Sequence, residues 1–342
     1  MKDLILVTGG TGYIGSHTAV ELINEGYEVV IVDNLSNSTA DSLDGIEKIT
    51  GVRPAFEQFD ICDKQRLDVF FEKYPSLKAI IHFAAFKAVG ESVDFPLKYY
   101  RNNLVSLVNL LDCMHTYKVP SIVFSSSCTV YGQPKDLPVT EDAPIQIAES
   151  PYGNTKQICE EILRDSVRSM PELKVIALRY FNPIGAHPTA LIGELPNGIP
   201  NNLVPFVTQT AAGLRPELRV FGDDYPTPDG SAVRDYINVA DLAKAHVTAI
   251  GRLLNKANEP GFEFFNLGTG RGSSVLEVVK TFEKVTGVPV NYKIVGRRAG
   301  DIIAVWADTT KANKVLGWKA ETSLEDTLLS AWNWEKKLRG IK

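Results

Sequence analysis

The sequence predicts an α/β fold in which a doubly wound parallel sheet is joined to a smaller C-terminal α/β domain. Short apolar strands alternate with amphipathic helices over roughly the first 180 residues, and a glycine-rich turn follows the first strand. Beyond residue 181 the composition shifts toward proline, glycine and asparagine, which is typical of binding loops. We therefore expect one domain over 1–181, rejoined by 235–255, and a second over 182–342.

The first predicted unit is a strand, a glycine turn and a helix. Residues 4–7 are apolar, and an amphipathic helix follows the turn. Gly12 and Gly15, preceded by either Gly9 or Gly10, give two overlapping versions of a dinucleotide-binding glycine spacing. Both versions let the backbone approach a pyrophosphate at the positive end of the helix. This unit predicts a dinucleotide site.

The second strand favours NAD over NADP. Residues 28–32 have the pattern of a strand, and it ends in Asp33, near the place about 20 residues on where an acidic residue binds the adenosine ribose. A carboxylate accepts a hydrogen bond from a ribose 2′-hydroxyl and repels a 2′-phosphate. We therefore expect NAD as the cofactor.

The alternation continues along the chain. Further strands are expected near 54–59, 78–83, 121–125 and 174–180, separated by helices near 63–74, 96–117 and 151–168. In a sheet of this kind ligands bind beyond the carboxyl ends of the strands. Polar residues stand at three of these ends, namely Asp60, Lys87 and the serine run 125–127. Taken singly, each is also ordinary loop composition.

A tyrosine and a lysine indicate the chemistry. Tyr152 and Lys156 are four residues apart, so on a helix the ammonium lies near the phenol and favours its ionised form. Lowering a phenol pKa from about 10 to about 7 requires roughly 4 kcal/mol, more than one lysine usually supplies. We expect the remainder from the positive nicotinamide ring of NAD and a hydroxyl of the serine run. The spacing alone also fits an ordinary amphipathic helix, but with the glycine turn and the serines it predicts hydride transfer.

Composition and charge are ordinary for a soluble globular protein. The 342-residue chain has 44% hydrophobic residues, a net charge of -5 and no long basic run, which argues against a nucleic acid or an anionic membrane as partner. The four cysteines are widely spaced, which predicts reduced thiols, and no apolar stretch is long enough to span a membrane, so we expect a cytoplasmic protein. The five histidines do not approach ligand spacing, and we expect no metal.

Several longer segments occur together and in order. They read F-A-A-F-K-A-V-G-E-S at 83–92, S-S-S-C-T-V-Y-G at 125–132, S-P-Y-G-N-T-K at 150–156, R-Y-F-N-P-I-G-A-H-P at 179–188, G-I-P-N-N-L at 198–203, V-R-D-Y-I-N-V at 233–239 and R-R-A-G-D at 297–301. With the glycine turn and Asp33, this set resembles the extended short-chain dehydrogenases and, within them, the UDP-glucose 4-epimerase family, over roughly residues 4–335. The resemblance implies a Rossmann fold with tightly bound NAD.

The resemblance also implies an activity. It predicts interconversion of UDP-galactose and UDP-glucose, in galactose metabolism, by transient hydride transfer to NAD through a 4-keto sugar. UDP-N-acetylglucosamine and UDP-N-acetylgalactosamine are further expected substrates, because Val305 falls where the family has either a tyrosine or a smaller residue beside the sugar C2 substituent. The family also implies a homodimer paired through the helices near 96–117 and 151–168.

Carried over to this sequence, the family pattern assigns the reacting groups. Tyr152 is the base, Lys156 is its partner, and Ser127 is the hydroxyl that hydrogen-bonds the sugar. The expected cofactor contacts are Gly9, Gly12, Tyr13, Ile14, Gly15, Asp33, Asn34, Asn37, Ser38, Asp60, Ile61, Phe83, Ala84, Ala85, Lys87, Asn102, Ser125, Tyr152, Lys156 and Tyr180. The expected substrate contacts are Lys87, Ser127, Thr129, Tyr152, Asn182, Asn201, Asn202, Leu203, Phe221, Arg234, Arg298, Asp301 and Val305.

Side-chain chemistry suits some of these substrate contacts better than others. The planar guanidinium groups of Arg234 and Arg298 match diphosphate oxygens, and the carboxylate of Asp301 matches the uridine ribose. Phe221 remains open between a nucleotide contact and a core aromatic on a strand.

Two other functions remain open. A nucleotide-sugar 4,6-dehydratase shares the scaffold but has an acidic pair after the serine/threonine position, where this chain has Cys128 and Thr129. The cysteine also departs from the epimerase pattern, in which alanine is common there. A non-catalytic NAD-binding sensor would have the same fold, although sensors can lose the tyrosine or lysine that this chain keeps.

Overall fold

The structure is a computed structural model that describes residues 2–297 and 302–341, so the predicted contacts Arg298 and Asp301 lie outside the described residues. Its strands are β1 (Leu4–Thr8), β2 (Glu28–Asp33), β3 (Ala55–Gln58), β4 (Leu77–His82), β5 (Ser121–Ser127), β6 (Lys174–Tyr180), β7 (Asn182–Ile184), β8 (Leu218–Phe221), β9 (Val233–Arg234), β10 (Tyr236–Asn238), β11 (Phe262–Leu267), β12 (Ser273–Ser274), β13 (Tyr292–Val295) and β14 (Ala304–Val305). Its α-helices are α1 (Tyr13–Asn24), α2 (Asp41–Thr50), α3 (Lys64–Lys73), α4 (Val89–Asp94), α5 (Pro96–Thr116), α6 (Pro151–Ser169), α7 (Leu203–Ala211), α8 (Val239–Leu254), α9 (Val275–Thr286) and α10 (Leu324–Arg339).

A seven-stranded parallel sheet forms the centre of the molecule. Its strand order is β11-β6-β5-β4-β1-β2-β3, which places the topological switch point between β1 and β4. This is the order of a Rossmann fold. The predicted strands β1 to β6 are all present near their expected bounds, and the doubly wound parallel sheet is confirmed. The remaining strand, β11, comes from the part of the chain that the sequence-based boundaries assigned to the second domain.

The two faces of the sheet are covered by separate cores. Along β1 the side chains alternate, so that Ile5 and Val7 face one core and Leu4 and Leu6 face the other. The first core includes residues of α1, α2 and α8, and the second includes residues of α3, α5 and α6. Because both faces are buried, the inner strands β1, β2 and β4 are largely apolar and appear in the sequence as short apolar runs.

The remaining short strands and helices lie near the carboxyl ends of the central strands. Strand β7 begins two residues after the end of β6 and pairs in parallel with β10. Helix α8 follows β10 and packs against α1. Helices α7, α9 and α10 surround a third core beside the short sheets β12-β9-β14 and β13-β8. Short strands and loops therefore stand next to the carboxyl ends of the central strands.

The described residues can also be searched for membrane-spanning helices, metal-binding groups and disulfides. Within 2–297 and 302–341, no helix is long and apolar enough to cross a membrane. The same ranges contain no group of three histidine, cysteine, aspartate or glutamate side chains arranged to hold a metal ion. The four cysteines carry free thiols.

Candidate active site

The serine run forms the carboxyl end of β5. The backbone oxygen of Ser125 accepts a hydrogen bond from Lys156 Nζ at 2.6 Å, and its hydroxyl is hydrogen-bonded to the hydroxyl of Tyr180. Ser127 caps a single 3₁₀ turn, Cys128–Tyr131, and its Oγ accepts from Thr129 N at 3.2 Å. Hydrogen bonds therefore fix Ser125 and Ser127 at the end of this strand.

Helix α6 presents the tyrosine and the lysine together. Ser150 caps the helix by accepting from Gly153 N at 3.1 Å, and a proline occupies the first turn. Tyr152 and Lys156 then follow on successive turns, with Lys156 Nζ 5.9 Å from the centre of the Tyr152 ring. The predicted Tyr152, Lys156 and Ser127 set is brought to one place at the end of β5.

Burial dominates the electrostatics of this set. It raises the pKa of Tyr152 to about 12, outweighing the hydrogen bond to Ser127, which acts in the opposite direction. Burial also lowers the pKa of Lys156 to about 8. The sequence led us to expect that Lys156 would favour the phenolate, but in the structure desolvation of the phenol is the larger effect. The protein's own groups thus leave Tyr152 neutral at pH 7, and forming the base requires a further positive charge.

A buried ion pair lies behind the serine run. Glu160 accepts from Arg179 at 2.8 and 2.5 Å, and from Ser126 Oγ at 2.7 Å. The Glu160 and Arg179 side chains are 2% and 1% exposed. Burial alone would raise the pKa of Glu160, but Arg179 holds it below its usual range. The sequence reasoning missed this pair, although Glu160 lies one helical turn beyond Lys156 and Arg179 interrupts an apolar strand.

Asn103 is a second residue that the sequence reasoning missed. Its side chain accepts from Phe86 N at 2.9 Å, donates to Phe86 O at 3.0 Å and donates to Thr155 Oγ1 at 3.1 Å. The predicted contact Asn102 is its neighbour and donates to Asn103 Oδ1 at 3.0 Å. Asn103 therefore links the loop after β4 to helix α6.

The glycine turn is packed too closely for other residues. Gly9 has φ +71°, and a Cβ there would lie 2.8 Å from Ala84 N. A Cβ at Gly15 would overlap the backbone of Gly9 and Gly10, and Gly12 is the N-cap of α1. The turn therefore exposes bare backbone at the positive end of a helix, which suits an anionic diphosphate.

Asp33 joins this turn to the loop after β2. Its carboxylate accepts from Thr11 N at 3.2 Å, Leu35 N at 2.9 Å and Ser38 Oγ at 3.2 Å. Asn34 Nδ2 reaches the next strand end, where it donates to Asp60 Oδ2 at 3.1 Å. A fixed carboxylate beside the glycine turn, with polar side chains on both neighbouring loops, fits the adenosine end of a dinucleotide.

The other predicted cofactor contacts occupy varied environments. Asn37 and Lys87 are exposed, whereas Ile61 and Tyr180 are buried and Ile14 packs against the first core. Phe83, Ala84 and Ala85 follow β4 and are half-buried. The Tyr13 hydroxyl donates to Gly185 O at 2.7 Å, which ties the start of α1 to the chain just after β7.

Two predicted substrate contacts lie opposite one another on short strands. Val305 of β14 pairs with Arg234 of β9. Val305 is buried in a small cluster with Val130, Phe181 and the partly buried Cys128, so it packs against the turn that follows Ser127. In the described part of the chain, the buried Oγ1 of Thr129 has no hydrogen-bond partner.

The remaining substrate contacts stand on loops and element ends. Asn182 N donates to Asp235 O at 3.0 Å, and the exposed Asn201 and Asn202 precede Leu203 at the start of α7. Phe221 ends β8 and is 37% exposed. That exposure favours a nucleotide contact over a core position for this aromatic ring.

Comparison with known proteins identifies the family. The chain matches the family model described as GDP-mannose 4,6 dehydratase over residues 6–330. It is 54% identical over 331 residues to the UDP-glucose 4-epimerase of Bacillus subtilis, a match that covers 97% of this chain and 96% of that protein. The chain belongs to the UDP-glucose 4-epimerase family. The resemblance found in the sequence is thereby confirmed.

Solved structures of UDP-glucose 4-epimerases have the same fold. The enzyme from Bifidobacterium longum, in complex with NAD+ and UDP, is 48% identical with a TM-score of 0.94, and the match covers 99% of this chain and 100% of that one. The enzyme from Stenotrophomonas maltophila, with bound NAD and formylated UDP-arabinopyranose, is 47% identical with a TM-score of 0.95 and full coverage of both chains.

Proposed function

We propose that this chain is a UDP-glucose 4-epimerase that uses NAD to interconvert UDP-galactose and UDP-glucose. The observation that carries the proposal is the meeting of Tyr152, Lys156 and Ser127 at the end of β5, on the sheet that bears the glycine turn and Asp33. The family membership supports the same reaction. NAD, held by the glycine turn and Asp33, would supply an acceptor and then a donor of the hydride at the sugar C4.

Side chains of the protein transfer the proton of the sugar 4-hydroxyl and orient the sugar. Tyr152, as phenolate, takes the proton of the 4-hydroxyl and later returns it. Ser127 hydrogen-bonds the same oxygen, and Lys156 stays on Ser125 O and contributes positive charge beside the phenol. The 4-keto sugar must turn between loss and return of the hydride. The contacts to the UDP group, rather than those to the sugar, must therefore supply most of the binding free energy.

The sugar-nucleotide contacts are assigned on this basis. Lys87, Thr129, Asn182 and Asn201 serve the sugar and diphosphate end. Asn202, Leu203, Phe221, Arg234, Arg298 and Asp301 serve the nucleotide and diphosphate. The exposure of Phe221 supports its place among the nucleotide contacts.

The dehydratase alternative is disfavoured by the residues after Ser127. Removing water across C5 and C6 needs an acid and a base besides the tyrosine. Burial raises the pKa of Cys128 to about 12, and Thr129 has only a hydroxyl, so neither supplies the acidic group. The sensor alternative is disfavoured because the complete reacting set is retained.

Acceptance of the N-acetylated sugars is a further part of the proposal. Val305 is smaller than tyrosine and packs beside the turn at 128–131, next to the expected sugar site. Its volume leaves room for an acetamido group at C2. The chain then interconverts UDP-N-acetylglucosamine and UDP-N-acetylgalactosamine as well.

The proposal extends to organisation and location. A homodimer is supported by exposed apolar side chains on α5, including Leu97, Val105 and Val108. The free thiols support a cytoplasmic location. The domain assignment is supported by two contacts: β11 pairs with β6, and α8 packs on α1. The NAD-binding domain then consists of 1–181 and 235–255 together with β11. The rest of 182–342 binds the UDP-sugar.

The test is to incubate the purified protein with UDP-galactose, adding no NAD, and to follow the anomeric protons by NMR. We expect UDP-glucose to appear, because the cofactor remains bound through the cycle. A 4-keto-6-deoxy product would mean a dehydratase. No change, even after NAD is supplied, would favour the sensor or another substrate.

A further inference from the structure

Glu194 lies outside every predicted contact, yet three of those contacts surround it. It stands in the connection between β7 and α7. Asn202 follows it along the same connection, Lys87 comes from the loop after β4, and Tyr13 begins α1 behind the glycine turn. These three residues include predicted contacts of both the cofactor and the substrate. Nothing in the sequence pattern predicts that they lie near the same side chain.

One carboxylate oxygen serves two of these residues. Glu194 Oε1 accepts a hydrogen bond from Asn202 Nδ2 at 2.6 Å. Lys87 Nζ lies 3.9 Å from the same oxygen and 5.9 Å from the centre of the Tyr13 ring. The charge of Glu194 adds to the effect of burial in raising the pKa of Tyr13. The carboxylate is thus electrostatically connected to both the cofactor and the substrate sides.

Glu194 is held in place from behind. Its backbone oxygen accepts from Trp334 Nε1 at 2.9 Å, and a Cβ at Gly193 would lie 2.5 Å from the same indole. The Glu194 side chain is only 12% exposed, whereas that of Lys87 is 52% exposed. The backbone is therefore fixed by α10, and the carboxylate is the rigid member of the pair with Lys87.

A fixed carboxylate limits the orientation of its partners. An asparagine amide has a donor and an acceptor end, and donation from Nδ2 to Glu194 decides which end faces the cleft. The Lys87 ammonium, 3.9 Å from Glu194 Oε1, is attracted to it, which biases a half-exposed side chain toward this side of the cleft. Both partners are then oriented before a ligand arrives, which lowers the cost of binding.

We propose that Glu194 is a positioning residue that orients Asn202 and Lys87 and so couples the cofactor side of the cleft to the sugar-nucleotide side. The inference rests on the proposed function for the identity of the ligand, a uridine diphosphate. Glu194 itself takes no part in the chemistry.

The experiment measures UDP binding by titration calorimetry and the kinetics of UDP-galactose conversion. In Glu194→Ala we expect UDP affinity to fall about tenfold and KM to rise about tenfold, with kcat within about threefold, because a hydrogen bond to a charged group is lost. In Glu194→Gln, which keeps an acceptor but not the charge, we expect a smaller loss. The matched control is Glu335→Gln, a buried acid on α10 that accepts hydrogen bonds from Thr208 and Arg339 rather than from a predicted ligand residue, and it should leave both constants unchanged.

A double-mutant cycle separates positioning from structural support. If Glu194 acts through Asn202, the loss of UDP affinity in the double variant Glu194→Ala with Asn202→Ala should be smaller than the sum of the two single losses. Additive losses, or a lower melting temperature with unchanged UDP affinity, would overturn the proposal. Wild-type protein that binds UDP but does not convert UDP-galactose would instead contradict the proposed function and leave the binding test of Glu194 valid.

Discussion

The reacting side chains stand on long strands and helices of the central sheet, whereas the predicted sugar-nucleotide contacts stand on short strands and loops. Lys156 is 4% exposed and Arg179 behind it 1%. Asn201, Asn202 and the ring of Phe221 are exposed. The difference has a chemical reason. Proton transfer needs groups fixed within hydrogen-bonding distance, while a sugar that must turn over needs a pocket that holds the nucleotide and leaves the ring free.

The strongest challenge to this comparison is the loss of the base. We expect Tyr152→Phe to lower kcat by about 10³-fold, within the range ascribed to a positioned acid or base, while UDP affinity stays near the wild-type value. Steady-state kinetics and titration with UDP measure the two effects. Tyr117→Phe, which removes a phenol just before β5, at the opposite end of that strand from the serine run, is the control. A Tyr152→Phe variant with more than a tenth of wild-type kcat would remove the tyrosine from its assigned role.

The rigidity of the catalytic half is tested at its buried ion pair. We expect Glu160→Gln to lower the free energy of unfolding by about 3–5 kcal/mol, because it leaves Arg179 buried without its charge partner. Denaturant unfolding gives the value. Asp165→Asn breaks an exposed pair with Arg168 on the same helix and should cost under about 1 kcal/mol. Equal losses in the two variants would mean that the buried pair does not anchor the strand end.

The size of the proposed sugar site is tested at Val305. We expect Val305→Tyr to lower turnover of UDP-N-acetylglucosamine by about 10–100-fold relative to UDP-galactose, because the added ring fills the space for the acetamido group. Competition assays with both sugars measure the ratio. Val305→Ala should keep both activities. If the wild type converts no N-acetylated sugar, the space beside Val305 is not used in this way.

The last expected effect is a pH dependence of stability in the dinucleotide half. Burial lowers the pKa of His17 and His82 to about 3 and that of His246 to about 4. These folded-state values lie below the unfolded value of about 6.5, so stability is complete above about pH 6.5 and falls as pH decreases toward 4, by about 1.4 kcal/mol per group and pH unit.

Unfolding midpoints at pH 7.5 and 5.5 measure this loss. His246→Gln should reduce the pH dependence of stability by about a third, because His17 and His82 remain, while His115→Gln, at an exposed site, should leave it unchanged. A wild-type stability that stays constant over this interval would mean that these imidazoles become protonated without unfolding.

The central sheet could be predicted from the sequence because most of its strands are buried on both faces and its helices on one face. The spacing of apolar residues along the chain therefore reflects which side chains are buried. Tyr152, Lys156 and Ser127 could be predicted because they occur in short local patterns. Glu160, Arg179, Asn103 and Glu194 were missed because each contacts residues outside its own local sequence pattern. The raised pKa of Tyr152 was also missed, since the depth of its burial depends on the packing of β5, α6 and the turn at 128–131.

The most direct test of the account follows the hydrogen at C4. UDP-galactose carrying deuterium at C4 would be converted in ordinary water, and the product examined by NMR and mass spectrometry. We predict UDP-glucose that retains the deuterium at C4, because the hydrogen that leaves this carbon is returned within the same closed site. Product with protium from solvent at C4 would contradict the account, since it would show inversion by proton exchange at carbon.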